Sequence, residues 1–173
     1  MENLHTLERA VSDLVTATTI RHATAGDRDL FLTLWREFAL DIQENGYELR
    51  WTPRTEAFFG SLFDAYVSGT LDGVVLLAGT DGALIWGEIG KEPLFDTSFG
   101  RIANGFGTYL RRSLRGLGLS TRMRDVAASR LRELGFDCVL GAARHENRAG
   151  YESSLSFGFV EHSMTGVLRL KGE

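Results

Sequence analysis

Apolar residues recur along this chain at two spacings, and these set out its elements. Leu4, Leu7, Val11 and Leu14 recur at helical spacing and predict a short N-terminal helix from about Asn3 to Val15. Thr18 to Ala23 carries two threonines and an isoleucine, which suit a strand. Phe31, Leu34, Trp35, Phe38 and Ile42 share one face of Asp27 to Glu44, an amphipathic helix that Asn45-Gly46 would end. Thr52 is placed to cap a second helix, with Pro53 at its first position. That helix runs to about Ser68 with Phe58, Phe59, Leu62, Phe63, Tyr66 and Val67. An aromatic stripe of this kind reads first as core, and otherwise as the lining of an apolar substrate pocket.

Val74 to Ala78 and Ala83 to Ile89 are apolar runs of strand length. Gly79-Thr80-Asp81-Gly82 supplies turn chemistry between them, so the pair reads as a hairpin. Gly90 to Asn104 reads as a long loop, and loops of that length are often functional. Phe106 to Leu114 reads as extended. Leu119, Met123, Val126, Ala127, Leu131 and Leu134 mark an amphipathic helix that Gly135 ends. A strand from Cys138 to Ala143, a polar tip, a short helix from about Ala149 to Ser156 and extended structure from Phe159 to Leu170 complete the chain. The order after the first helix is β-α-α-β-β-β-α-β-α-β. Such alternation favours an α/β sheet with mixed strand directions.

Between the extended run and the helix stands Arg115-Gly116-Leu117-Gly118-Leu119-Ser120. Glycine takes positive φ without strain. The first N–H groups of a helix lack intrahelical partners, and the helix dipole makes that end slightly positive. The stretch therefore suits a phosphate-like anion, although a plain tight turn uses the same residues. Arg111, Arg112, Arg115, Arg122 and Arg124 surround it, either as a solvated face or as a local positive field for an anionic ligand.

Composition narrows the classes. The 173 residues suit one domain after a helical extension, 1–17 and 18–173. A hydrophobic share of 43% with 24% charged residues reads as soluble and globular. Net charge is −4, which argues against general nucleic-acid binding. Cys138 is the single cysteine, so no intrachain disulfide forms; the thiol reads as structural and the cytoplasm as the expected compartment. No signal-peptide pattern, no membrane-spanning run and no metal-ligand spacing is present in the sequence.

The order and motifs together resemble the GCN5-related N-acetyltransferases from about Thr19 onward. Ile20-Arg21-His22-Ala23 with Asp27 resembles the family's opening. Arg115 to Ser120 resembles its acetyl-CoA signature, Arg/Gln-x-x-Gly-x-Gly/Ala. Asn147 followed by Gly158-Phe159 resembles its ending. The resemblance implies a mainly antiparallel, mixed twisted sheet flanked by helices, with a splay between the fourth and fifth strands. It implies acetyl-CoA as acyl donor, with no metal, and direct transfer to a primary amine of a small molecule or peptide. The backbone of Gly116, Leu117, Gly118, Leu119, Ser120 and Thr121 would hold the pyrophosphate, with Arg111, Arg112 and Arg115 screening charge. Leu110 to Arg112 would pair with the pantetheine arm, and Asn147 would bond it. The resemblance admits a homodimer, and no residue argues for one.

Three departures bear on catalysis. Ser120 stands where Gly or Ala is usual. Ser154 stands where the family has the Tyr that protonates the leaving thiolate; Tyr151, nearly one helical turn earlier, is the substitute to consider. Phe106 to Leu114 has no carboxylate to serve as base, which leaves Glu88, amid apolar residues, and His145. These gaps keep open an alternative, a catalytically weak acyl-CoA-binding sensor or interaction module.

Overall fold

The computed structural model describes residues 18–44, 50–88, 100–143 and 147–161. The expected N-terminal helix, residues 89–99 of the long loop, His145 and most of the last extended segment lie outside them. The chain divides into two compact units, Met1–Ala142 and Ala143–Glu173.

The first unit is a five-stranded sheet in sequence order: β1 (Ile20–His22), β2 (Gly73–Ala78), β3 (Gly82–Gly87), β4 (Ile102–Leu110) and β5 (Cys138–Gly141). The first three pairings are antiparallel and the last is parallel. The parallel pairing follows from the helix α3 (Leu119–Glu133), which carries the chain from the end of β4 back to the start of β5. This is the mixed, mainly antiparallel sheet that was expected.

Two helices, α1 (Arg28–Glu44) and α2 (Pro53–Val67), lie between β1 and β2 in the chain. Strand alternation sends Val75, Leu77, Ala83, Ile85 and Tyr109 into one cluster with Phe31, Leu34 and Trp35 of α1 and Phe63 of α2. Val74, Leu76 and Leu84 are buried on the opposite face, and α3 buries Leu119, Met123, Ala127 and Leu131. Each fully buried large side chain contributes about 1.5–3 kcal/mol.

Local chemistry sets where the helices start. Thr52 Oγ1 accepts from the Thr55 N–H at 3.2 Å, and the Thr52 N–H donates to Thr55 Oγ1 at 3.3 Å. Thr52→Ala is expected to cost about 1 kcal/mol, lowering Tm by roughly 2–4 °C, while Thr52→Ser leaves it nearly unchanged; thermal unfolding checks this. Ahead of α1, the Thr24 N–H and hydroxyl both donate to Asp27 Oδ2, at 2.8 and 2.7 Å. Arg21 grips the same carboxylate at 2.8 and 2.6 Å.

Those bonds, Arg21's foremost, hold the Asp27 carboxyl well below the usual range. A group whose folded pKa is depressed adds stability above its unfolded pKa of about 4, and loses it as pH falls toward the folded value. Urea midpoints are therefore expected to drop from pH 5 to pH 2. Asp27→Asn should lower the midpoint at neutral pH and flatten that drop.

Candidate functional site

β4 is the axis of the site. It pairs with β3 along its length, from Asn104 opposite Gly87 to Leu110 opposite Gly82. With β5 it pairs only from Ile102–Cys138 to Gly105–Gly141. From Phe106 onward the β5-side edge carries no strand partner among the described residues. The splay expected between the fourth and fifth strands is this parting.

A bulge sits at the same point. Ile85 is opposite Gly107 and Trp86 is opposite Gly105, so Phe106 is the extra residue. Gly107 makes the bulge possible. Its φ is +139°, and an added Cβ would lie 3.4 Å from Trp35. Phe106 turns to the α1/α2 side, where its ring lies 5.7 Å from that of Phe58 and 6.2 Å from that of Phe59. The strand was expected to begin at Phe106. It begins at Ile102, because pairing with β5 from Ile102 and with β3 from Asn104 holds this stretch extended.

The open edge can be read from one hydrogen bond. The Arg111 N–H donates to Asp81 O at 2.8 Å, so that peptide group faces β3. Alternation turns the N–H and C=O of Thr108 and Leu110 to the other edge. The Leu110 carbonyl there accepts from Arg115 Nε at 2.8 Å. The open edge thus offers both groups of Thr108 and the N–H of Leu110. Of the stretch expected to pair with a ligand arm, Leu110 to Arg112, only Leu110 belongs to it.

Beyond Leu110 the chain does not stay extended to Leu114. It makes a 3₁₀ turn, Arg112–Leu114, which buries Leu114. Gly116 and Gly118 follow with φ +75° and +74°. A Cβ on either would meet nothing within 4 Å. Glycine is therefore used for its backbone angle, and the space beside it is open. Gly118 caps α3 without a side-chain bond. The first helical N–H to bond back is that of Arg122, to Gly118 O at 3.1 Å. The amides of Leu119, Ser120 and Thr121 form an uncapped helix start beside open space, and a diphosphate fits such a place.

The arginines before the loop are otherwise engaged. Arg111 forks onto Glu37 at 2.9 and 2.8 Å and reaches Asp81 at 3.0 Å. That fork pushes the Arg111 guanidinium up and holds Glu37 below the usual carboxylate range. Arg112 binds Asp41 and Glu44, and Arg115 binds Asp41 at 3.0 Å. These guanidinium groups were expected to screen phosphate charge. In the structure α1 carboxylates hold all three, and so they brace the turn before the loop. Glu37, Asp41 and Glu44 recur at one face of α1, and that spacing was visible in the sequence.

Of the residues considered for proton transfer, Glu88, Tyr151 and Ser154 are among the described residues. Glu88 does not sit amid apolar groups. It lies one residue past β3, exposed, with its carboxylate 2.6 Å from Arg101. The second unit contains helix α4 (Arg148–Phe157). Asn147 caps it, its Oδ1 accepting from the Gly150 N–H at 3.1 Å. Ser154 Oγ donates to Gly150 O at 2.9 Å. The Tyr151 hydroxyl donates to Glu161, which pushes its pKa up and makes it a weaker acid. Cys138 is half-buried, and burial raises its thiol, which keeps it protonated. No group among the described residues is arranged to hold a metal ion, and none of their helices is long and apolar enough to cross a membrane.

Neither a protein-family model nor a curated protein sequence matches the chain. Solved structures do match it. A variant of the BH1408 protein from Bacillus halodurans superposes with a TM-score of 0.70 at 19% identity, over 88% of this chain and 99% of that one. A predicted acetyltransferase from Clostridium acetobutylicum, solved with acetyl-CoA, gives 0.66 at 17% identity, over 88% and 96%. The aminoglycoside N-acetyltransferase AAC(6')-Iy, in complex with the bisubstrate analogue CoA-S-monomethyl-acetylneamine, gives 0.65 at 13% identity, over 90% and 99%. The chain has the fold of the GCN5-related N-acetyltransferases.

Proposed function

We propose that this protein is an acetyltransferase that moves the acetyl group of acetyl-CoA directly to a primary amine. The observation that carries the reading is the run from the parted edge of β4 to the uncapped start of α3. It offers strand-like donors and acceptors at Thr108 and Leu110, then a cluster of backbone N–H groups at Leu119 to Thr121. A pantetheine arm ending in a diphosphate has that sequence of needs. Solved structures of the same fold with CoA or acetyl-CoA support it.

In this reading the strand edge aligns the arm and the helix start fixes the diphosphate, so that the thioester lies where β4 and β5 part. The amine nitrogen attacks the thioester carbonyl, the carbon–sulfur bond breaks, and the amine's proton leaves with the thiol or to water. Holding two reactants in line supplies most of the acceleration, with backbone N–H groups polarising the carbonyl.

A second reading, an acyl-CoA binder with little turnover, is favoured by one observation. The Ser154 hydroxyl is bonded to Gly150 O and that of Tyr151 to Glu161, so each is already engaged as a donor. Two measurements separate the readings. Acetyl-CoA at a hundred times its Kd should stabilise the protein by about 2.7 kcal/mol. Thiol release with an amine panel should then exceed the amine-free rate. Stabilisation without release on any amine supports the binder, and no stabilisation by acetyl-CoA overturns both.

A further inference from the structure

The parting of the strands has an apolar floor on its α1/α2 side. Phe106, turned there by the bulge, is 37% exposed, and Phe58 of α2 beside it is 43% exposed. Leu140 of β5, opposite Asn104, is 37% exposed. By alternation it lies on the same face as Phe106, two residues along. Behind these, Phe59 stacks on Trp35 at 4.8 Å and on Trp51 at 5.7 Å, so the exposed rings rest on a rigid support.

Charge on the neighbouring helices points the same way. Glu37, Asp41 and Glu44 of α1 are held by Arg111, Arg112 and Arg115. Glu56 of α2 is held by Arg36 and the Trp51 N–H, and Asp64 by Arg28. A polycation would have to take these carboxylates from guanidinium groups. A molecule with one amine and a flat apolar body needs no such exchange.

We infer that the acceptor is a monoamine on an aromatic or similarly flat apolar body, stacked on Phe106 and Phe58 with its nitrogen at the β4–β5 parting. This rests on the acetyltransferase reading and names its substrate class. The floor is continuous with the edge along which the acyl arm would lie, so a seated ring brings its amine to the thioester end of that arm.

The test uses the full chain with 2-phenylethylamine, spermidine and neamine. With CoA present, calorimetric titration should show 2-phenylethylamine binding at least about tenfold tighter than either polyamine. With acetyl-CoA, kcat/KM should follow the same order. Phe106→Ala should raise KM for 2-phenylethylamine about tenfold with KM for acetyl-CoA unchanged within twofold. Phe58→Ala, at an exposed helix position, should do the same and guards against misfolding of the bulge variant. Tighter binding of spermidine or neamine overturns the proposal, as does no measurable binding of 2-phenylethylamine or an equal loss on all amines. The acetyl-CoA stabilisation, read in the same samples, separates the two failures: where it persists, only the acceptor class is lost, and where it is absent the acetyltransferase reading falls as well.

Discussion

Gly118→Asp is expected to weaken acetyl-CoA binding by at least a hundredfold while leaving the apo protein folded. The backbone there has φ +74°, a conformation that Asp adopts more readily than most residues. An added Cβ meets nothing within 4 Å. The apo Tm should therefore move only a few degrees. The carboxylate, however, would stand at the start of α3, where the reading places a diphosphate. Two like charges about 4–5 Å apart at an effective dielectric of about 20 repel by roughly 3–4 kcal/mol, or about 10²–10³ in Kd. Gly118→Ala separates charge from strain. It keeps the left-handed angle at a cost of about 1 kcal/mol and adds no charge, so its loss should be far smaller. Calorimetric titration of both variants checks the pair. Unchanged affinity in Gly118→Asp would remove the diphosphate from this place.

The sequence made this loop legible because its signal is local. Two glycines before an amphipathic helix specify backbone angles within a few residues, and the structure has positive φ at both. The same holds for Thr52-Pro53 at the start of α2 and for the turn between β2 and β3. What the sequence hid depends on partners far along the chain. The 3₁₀ turn at Arg112–Leu114 was read as strand, and the ion pairs of Arg112 and Arg115 went unseen, because their carboxylate partner Asp41 sits about 70 positions earlier on α1. Ile102-Ala103-Asn104 was read as the end of a loop; pairing to β5 from Ile102, and to β3 from Asn104, makes these residues the start of β4. Glu88 looked like an acid among apolar neighbours, and its partner Arg101 stands 13 positions further on. The stripe on α2 divided as neither reading alone foresaw: Phe63 is core, while Phe58 is exposed beside the bulge.

Trp35 couples that core to the site, and its replacement carries the largest expected cost in stability. It is 1% exposed, stacks on Phe59 at 4.8 Å, meets Phe31 and Phe38 edge-on, and packs beneath Gly107. Trp35→Ala removes this support and leaves a cavity that the surrounding rings and sheet fill only in part, so about 3–5 kcal/mol is expected. The indole N–H complicates the conservative change. It is buried and has no hydrogen-bond partner among the described residues, and a buried unpaired donor costs about 1–3 kcal/mol. Trp35→Phe loses ring area but also removes that orphan donor, so the two effects offset. Urea unfolding should give a loss of less than about 1.5 kcal/mol for Trp35→Phe. The gap between the two variants is the informative quantity. If Trp35→Phe costs as much as Trp35→Ala, the N–H has a partner and the indole is held by more than packing. If the gap appears, the offset holds: Trp35→Phe removes the orphan N–H together with the outer ring that meets Gly107, while Phe31, Phe38 and Phe59 still pack on the ring that remains.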